Sequence, residues 1–181
     1  MERLVTSLIA KASFVAPLAG CASTDVATTP VVPETLRVPA TQTVSVVARA
    51  SSVQIYECAA GKSDPTRFEW LFKAPEAELV DILGKSIDRH YAGPTWESND
   101  GSKVVGDLKA RDDGPDSNAI PWLLLNAKST EGNGIFGKTR SIQRIKTVGG
   151  KAPAAGCSQG EAGKVVRVPY RASYYFYVAT P

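Results

Sequence analysis

Histidine, cysteine and net charge are all scarce in this chain of 181 residues. One histidine and three cysteines are too few and too scattered for a zinc site of the C-x-x-C or H-E-x-x-H kind. The 21 basic and 18 acidic side chains leave a net charge of +3, which gives no argument for nucleic acid or anionic lipid as a partner. No apolar run reaches the roughly 20 residues of a membrane-spanning helix, so a multi-span membrane protein is excluded.

The first 20 residues have the pattern of an export signal. Arg3 and Lys11 supply positive charge, residues 12–19 are mostly small or apolar, and small residues precede Cys21. The segment Leu18-Ala19-Gly20-Cys21 resembles the bacterial lipobox, in which the cysteine receives a diacylglyceryl group, the preceding peptide is removed and a further acyl chain such as palmitate is added. We therefore predict a signal peptide over residues 1–20 and a lipid on Cys21; the alternative is an ordinary secretory peptide beside an unmodified thiol.

With a lipid on Cys21, we expect the protein to be attached to a membrane and to consist of a tether followed by one domain. Two or more acyl chains hold a soluble domain on a bilayer where one chain binds only marginally. Ala22, rather than aspartate, follows the cysteine, and by resemblance to the usual sorting pattern this indicates the outer membrane facing the periplasm. Residues 21–33 are rich in Thr and Pro with Asp25 as their one charge, which is typical of a tether. Residues 34–181 then form a single domain.

Apolar residues of this domain recur with a period of two in short runs. The clearest runs are residues 44–48, 68–72 and 108–110. Residues 122–125 are typical of a strand buried on both faces, and residues 165–168 and 174–178 are rich in the β-branched and aromatic residues that strands prefer. Turn sequences such as Asn99-Asp100-Gly101 separate them. The pattern predicts an all-β domain, an antiparallel sandwich or barrel of short strands, with little helix apart from the signal segment. Residues 138–146 alone admit a helix, and their Thr and Ile content fits a strand as well.

Cys58 and Cys157 are the two cysteines that remain after Cys21. In an oxidising compartment a pair of thiols is more often bridged than free. Our hypothesis is a disulfide that ties an early strand to a late Gly-rich loop, and the alternative is two free thiols. Closing a loop of about 100 residues contributes at most about 4.7 kcal/mol in the chain-entropy model.

Two short motifs match known catalytic or nucleotide-binding patterns without the required context. Residues 132–137 match G-x-G-x-x-G, but polar residues precede the glycines and a strand, not a helix, is predicted to follow. Residues 156–160 match G-x-S-x-G, but the single histidine precedes the serine, which reverses the α/β-hydrolase order. We interpret the first motif as a glycine-rich hairpin and expect no cofactor.

His90 and Glu97 are the candidate catalytic pair. Histidine titrates near neutrality, and Glu97 would orient it if Tyr91 and Glu97 flank a hairpin across Gly93-Pro94. The competing and favoured interpretation is a structural histidine in an aromatic strand pair. Substitution of His90 by Ala distinguishes the two, because an enzyme would lose turnover while a core residue would lose stability.

Aromatic residues and loop carboxylates supply the remaining candidate sites. Tyr91, Trp96, Asp100 and Trp122 are candidate ligand-binding residues, since flat aromatic faces suit a carbohydrate or a peptide, although aromatics in a β-domain are more often core. A second group of oxygen ligands lies in one loop, as calcium requires: Asp112, Asp113, Asp116 and Asn118. An EF-hand loop that starts at Asp112 would need Glu where Leu123 stands, so a solvated turn is favoured over a metal site.

Several short segments of the domain follow one another in a distinctive order. They are Val32–Pro39, Gln54–Cys58, Phe72–Ala77, Tyr91–Glu97, Asp100–Ser102, Ile120–Leu125, Gly149–Pro153 and Tyr174–Tyr177. With these segments the chain resembles, over residues 32–177, the family catalogued as domain of unknown function 3455. The resemblance implies an exported protein of the kind found in bacteria and fungi, with no settled activity, cofactor or catalytic residue. It also supports the pairing of Cys58 with Cys157.

The function expected from these patterns is that of a lipid-anchored β-domain in the cell envelope. It would act as a binding or structural module, with a membrane contact through its lipid, a possible carbohydrate or peptide ligand and no nucleic-acid partner. The alternative is an envelope hydrolase or redox enzyme that uses His90 and Glu97.

Overall fold

The computed structural model describes residues 29–181, which form one antiparallel β-sheet closed on itself. The predicted signal segment, Cys21 and the first part of the predicted tether lie outside the described residues. The strands are β1 (Gln42–Ala60), β2 (Phe68–Val80), β3 (Ser86–Tyr91), β4 (Thr95–Ser98), β5 (Lys103–Asp112), β6 (Trp122–Glu131), β7 (Ser141–Gly149) and β8 (Val165–Ala179). Two single 3₁₀ turns, Glu34–Leu36 and Gln159–Glu161, accompany them, and no helix in residues 29–181 has the length and apolar character to cross a bilayer.

Each strand pairs with the next one in sequence, and β1 pairs with β8 to close the barrel. This closing ladder runs from Gln42↔Ala179 to Glu57↔Val165, and the β-branched and aromatic residues of both strands favour it. The all-β antiparallel prediction is confirmed, and of the two predicted arrangements the structure has the barrel. The expectation of short strands holds for β3 and β4, with 6 and 4 residues, but not for β1, β2 and β8, which contain 19, 13 and 15 residues.

Aromatic and aliphatic side chains fill the barrel. Trp96 meets Tyr174 and Phe176 edge to face, with ring centroids 5.7 Å and 5.8 Å apart. Phe136, from the loop between β6 and β7, packs on Phe176 at 4.5 Å. An eight-stranded barrel is just wide enough for side chains to fill its interior, and burial of these surfaces stabilises the fold by roughly 25 cal/mol per Å² of apolar area.

The period-two pattern fails in the middle of β5. Leu108, predicted on the apolar face, is 56% exposed, whereas Val104 and Gly106 are the buried positions. The ladder to β6 shifts register between Val105 and Gly106 and again between Leu108 and Ala110. Such bulges change which side chains face inward, so alternation alone assigns the wrong face to Leu108.

Cys58 and Cys157 form the predicted disulfide, with their Cα atoms 5.4 Å apart. Cys58 lies near the end of β1, and Cys157 lies in the loop that leads to β8. The sulfur bridge therefore fastens the loop before β8 to the strand with which β8 pairs. Its 99-residue separation encloses most of the barrel, which in the chain-entropy model gives a large restriction of the unfolded chain.

Candidate functional site

His90 lies inside the barrel on β3, in the aromatic core. Its ring stacks on that of Trp96 with centroids 4.3 Å apart and an interplanar angle of 8°, and it meets Tyr174 edge to face at 5.4 Å. The ring Nδ1–H donates a hydrogen bond to the Thr95 carbonyl oxygen, 2.9 Å away. Burial lowers the pKa of His90 to about 3, because the charged imidazolium would lose its hydration there. The side chain is therefore neutral at physiological pH.

Glu97 lies on the opposite face of the same hairpin. In the β3–β4 ladder His90 is registered with Trp96 and Glu97 with Arg89, so the alternation of side chains directs Glu97 outward. There its Oε1 lies 3.3 Å from Arg89 Nη2, and its Oε2 accepts a 2.7 Å hydrogen bond from the Tyr91 hydroxyl, which raises the pKa of Tyr91. The hairpin across Gly93-Pro94 is present, but it does not bring Glu97 to His90.

Asp88 is a buried carboxyl that the sequence analysis did not single out. It is 0% exposed, and neither carboxyl oxygen has a hydrogen-bond partner. Burial raises its pKa to about 8, so the carboxyl is mainly protonated at neutral pH. One sequence signal was available: Asp88 and His90 are two residues apart on β3 and therefore share a face.

Polar groups of β7 and β8 surround this interior pair. The Arg144 guanidinium donates from Nη2 to the Pro121 carbonyl oxygen at 2.9 Å, and the Tyr170 and Tyr174 hydroxyls lie 3.3 Å apart. Burial raises the pKa of both tyrosines, an effect that Arg144 opposes. The Arg144 guanidinium and the two tyrosine hydroxyls are thus hydrogen-bonded within the core, whereas the Asp88 carboxyl has no partner.

Asp100 has a structural position in the turn between β4 and β5. Its Oδ1 accepts hydrogen bonds from the Ser102 hydroxyl at 2.6 Å and the Ser102 amide at 2.8 Å, and its Oδ2 accepts one from the Ile135 amide at 2.8 Å. These bonds, the Ser102 hydroxyl first, lower the pKa of Asp100 to about 2. The carboxylate thus fills the space beside Gly134 of the G-x-G-x-x-G loop.

The loop carboxylates of the candidate metal site are each engaged locally. Asp112 Oδ1 accepts from the Gly114 amide and Asp116 Oδ1 accepts from the Asn118 amide, both at 2.8 Å. Asp113 lies 2.7 Å from Arg111, and this contact lowers its pKa. Within the described part of the chain, no three His, Cys, Asp or Glu side chains are grouped as metal ligands.

The aromatic candidates for ligand binding do not lie together. Trp96 is 1% exposed and belongs to the core, whereas Tyr91 is 37% exposed. Trp122 is half-buried and lines a cavity of about 470 Å³ with residues 31–33, the end of the predicted tether. Tyr91 lines a different cavity, of about 610 Å³, to which His90 also contributes its small exposed part. Tyr91, Trp96 and Trp122 therefore do not form one aromatic platform, and Asp100 lies in a turn of its own.

A groove that the sequence analysis missed crosses the outside of the barrel over β2, β1, β8 and β7. Its volume is about 700 Å³. Three cations, Arg49, Lys146 and Arg171, line it together with the apolar side chains of Val80 and Val148. No motif could have predicted this site, because its cations come from three strands that only closure of the barrel places side by side.

Comparison with known proteins identifies the family of this chain but assigns it no function. The sequence model of the family described as "Protein of unknown function (DUF3455)" matches residues 39–178. That match extends from just before β1 nearly to the end of β8. No curated protein and no solved structure matches the chain.

Proposed function

We propose that this chain, which belongs to the DUF3455 family of proteins of unknown function, is an exported binding module of the bacterial cell envelope. In this proposal a lipid on Cys21 holds the barrel at the outer membrane, residues 21–33 act as the tether, and the ligand binds to the outer surface of the barrel. The proposal covers the location, the anchor and the class of function, none of which the family description states.

The observation that carries the proposal is the Cys58–Cys157 disulfide. Disulfides form and persist outside the reducing cytosol. A domain that carries such a bridge is suited to the periplasm or the cell surface. The short apolar segment before Cys21 supplies the export signal that this location requires.

Binding is favoured over catalysis by the placement of the ionisable groups. A general base needs a pKa near the working pH and access to its substrate. His90 is 3% exposed and its pKa is lowered to about 3, while Glu97 is occupied on the other side of the sheet by Arg89 and Tyr91. The outer groove, in contrast, is open and concave, as ligand sites are.

The location is tested by expressing the full chain in a Gram-negative host and separating cytosol, periplasm and membranes. We expect wild-type protein in the outer-membrane fraction, without residues 1–20 and with the added mass of the lipid on Cys21. Cys21→Ser should lack that mass while its Cys58–Cys157 bridge still resists alkylation before reduction. Full-length protein in the cytosol, without lipid and with both thiols free, would contradict the proposal.

A further inference from the structure

Three positively charged side chains line the outer groove without a carboxylate partner among the described residues. Arg49 on β1 is registered with Ser173, and Arg171 lies two residues away on β8, registered with Ser51. Side chains in such diagonal positions are close enough to interact, and like charges there repel. None of Arg49, Arg171 and Lys146 forms an ion pair with a carboxylate of the described residues.

Lys146 reaches the groove because of a bulge in β7. The ladder to β8 shifts register between Ile145 and Val148, and Lys146 has a φ of 52°, the one positive value at a non-glycine residue of the described chain. Bulges of this kind redirect a side chain. The Thr147 hydroxyl holds the bulge by donating a 2.6 Å hydrogen bond to the Ile120 carbonyl oxygen. A strained backbone position thus supplies the third cation.

The remainder of the groove combines apolar and polar side chains. Val80 and Val148, the latter 46% exposed, flank the cations, and Ser51 and Ser173 lie beside the two arginines in the β1–β8 ladder. Ala50 and Ala172 also border the groove but belong to the buried core. The one acidic residue of the groove, Glu78, accepts a 2.5 Å hydrogen bond from the Ser86 hydroxyl. The formal charges of these lining residues sum to a positive value, beside a hydrophobic surface.

We propose that this groove binds one small anionic amphiphile, a molecule with a phosphate or carboxylate group and a short apolar chain. Arg49 and Arg171 would hold the anion, since guanidinium groups bind oxyanions with two parallel hydrogen bonds, and Lys146 would add a point charge. Val80 and Val148 would contact the apolar chain. The volume of about 700 Å³ suits a single small molecule. This inference rests on the proposed binding function and specifies its ligand.

Decyl phosphate, at concentrations below micelle formation, tests the proposal, with decanol as the uncharged probe. Binding is followed by nuclear magnetic resonance on the full chain carrying Cys21→Ser, so that no attached acyl chain competes. We expect decyl phosphate to shift backbone signals of β1, β7 and β8 around the groove, and to bind at least about tenfold more tightly than decanol. Added salt should weaken the phosphate complex by screening.

A charge-matched pair of variants assigns the effect to the groove. The triple variant Arg49→Gln, Lys146→Gln and Arg171→Gln should lose about tenfold or more of the affinity for decyl phosphate. The control replaces Lys62, Lys109 and Lys128, which lie outside the groove, with Gln and thus removes the same net charge. Its affinity should stay within about twofold of wild type. A melting curve for each variant verifies that it is folded.

Three results would overturn the inference. If no signal near the groove responds to either probe, the site binds no amphiphile. If decanol binds as tightly as decyl phosphate, the cations play no part, but the barrel would still be a binding module. If anionic phospholipid vesicles bind while monomeric decyl phosphate does not, the surface faces a membrane. The location experiment is independent of these outcomes, so failure of the ligand class and failure of the proposed function are distinguishable.

Discussion

The buried pair Asp88 and His90 makes the stability of the barrel depend on pH in an unusual way. Folding raises the pKa of Asp88 from 3.8 to about 8 and lowers that of His90 from 6.5 to about 3. Between pH 3.8 and 8 the folded chain holds a proton on Asp88 that the unfolded chain has lost, so stability falls as pH rises. Between pH 3 and 6.5 the unfolded chain holds a proton on His90 that the folded chain lacks, so stability rises with pH.

Each effect changes the free energy of unfolding by about 1.4 kcal/mol per pH unit. From pH 3.8 to 6.5 the two slopes have opposite signs and cancel. Above pH 6.5 the Asp88 effect stands alone until the carboxyl ionises near pH 8, so we expect wild type to lose about 2 kcal/mol over that interval. Asp88→Asn removes this loss. Below pH 6.5 the variant keeps only the effect of His90, so its free energy of unfolding should rise with pH.

Urea unfolding of wild type and Asp88→Asn from pH 5 to pH 9 measures these curves. The two proteins should differ in the shape of this curve. The free energy of unfolding of wild type should stay constant up to about pH 6.5 and then fall, whereas that of the variant should rise up to about pH 6.5 and then stay constant. Asp107→Asn, at an exposed position of β5, should follow wild type. Parallel curves for wild type and Asp88→Asn would refute the assignment of a buried, protonated carboxyl.

Two further predictions concern the loops that hold the barrel closed. Replacing both Cys58 and Cys157 with Ala should lower the free energy of unfolding by roughly 2–5 kcal/mol in urea titrations; a loss below about 1 kcal/mol would show that the bridge constrains little. In Gly134→Ala the new Cβ would meet the Asp100 carboxylate, breaking the bond from the Ile135 amide, and should cost about 1–3 kcal/mol. Gly160→Ala, whose Cβ would meet nothing closer than 3.9 Å, is its control in thermal melts, and equal losses would contradict this account.

Alternation, β-branched residues and turn sequences predicted several of the strands, but they did not predict which side chains lie together in the barrel. The favoured interpretation of His90 as a structural residue in an aromatic strand pair agrees with the core, where its ring stacks on that of Trp96. The catalytic hypothesis needed Glu97 beside His90, and this depended on the register of the hairpin. The loop across Gly93-Pro94 sets that register by pairing His90 with Trp96, and a shift of one residue moves a side chain to the other face.

Bulges explain the other departures. One bulge exposed Leu108, which alternation predicts on the apolar face, and another put Lys146 in the left-handed region, at the end of the segment 138–146 that admitted either a helix or a strand. A bulge is an extra residue in one strand relative to its partner. Its position therefore depends on the neighbouring strand, and no short window of a single sequence contains that information.

Closure of the barrel brings together the residues of the proposed binding groove, and for this reason the sequence could not reveal the groove. A sandwich and a barrel share the same alternating strands, but only the barrel joins β1 to β8. That ladder brings Arg49 next to Arg171, and the β7–β8 ladder adds Lys146. The cations of the groove are therefore remote in sequence and adjacent in space, whereas the matches that are contiguous in sequence, such as the glycine motif at residues 132–137, serve local turns. In this fold the proposed binding groove follows from topology rather than from a motif.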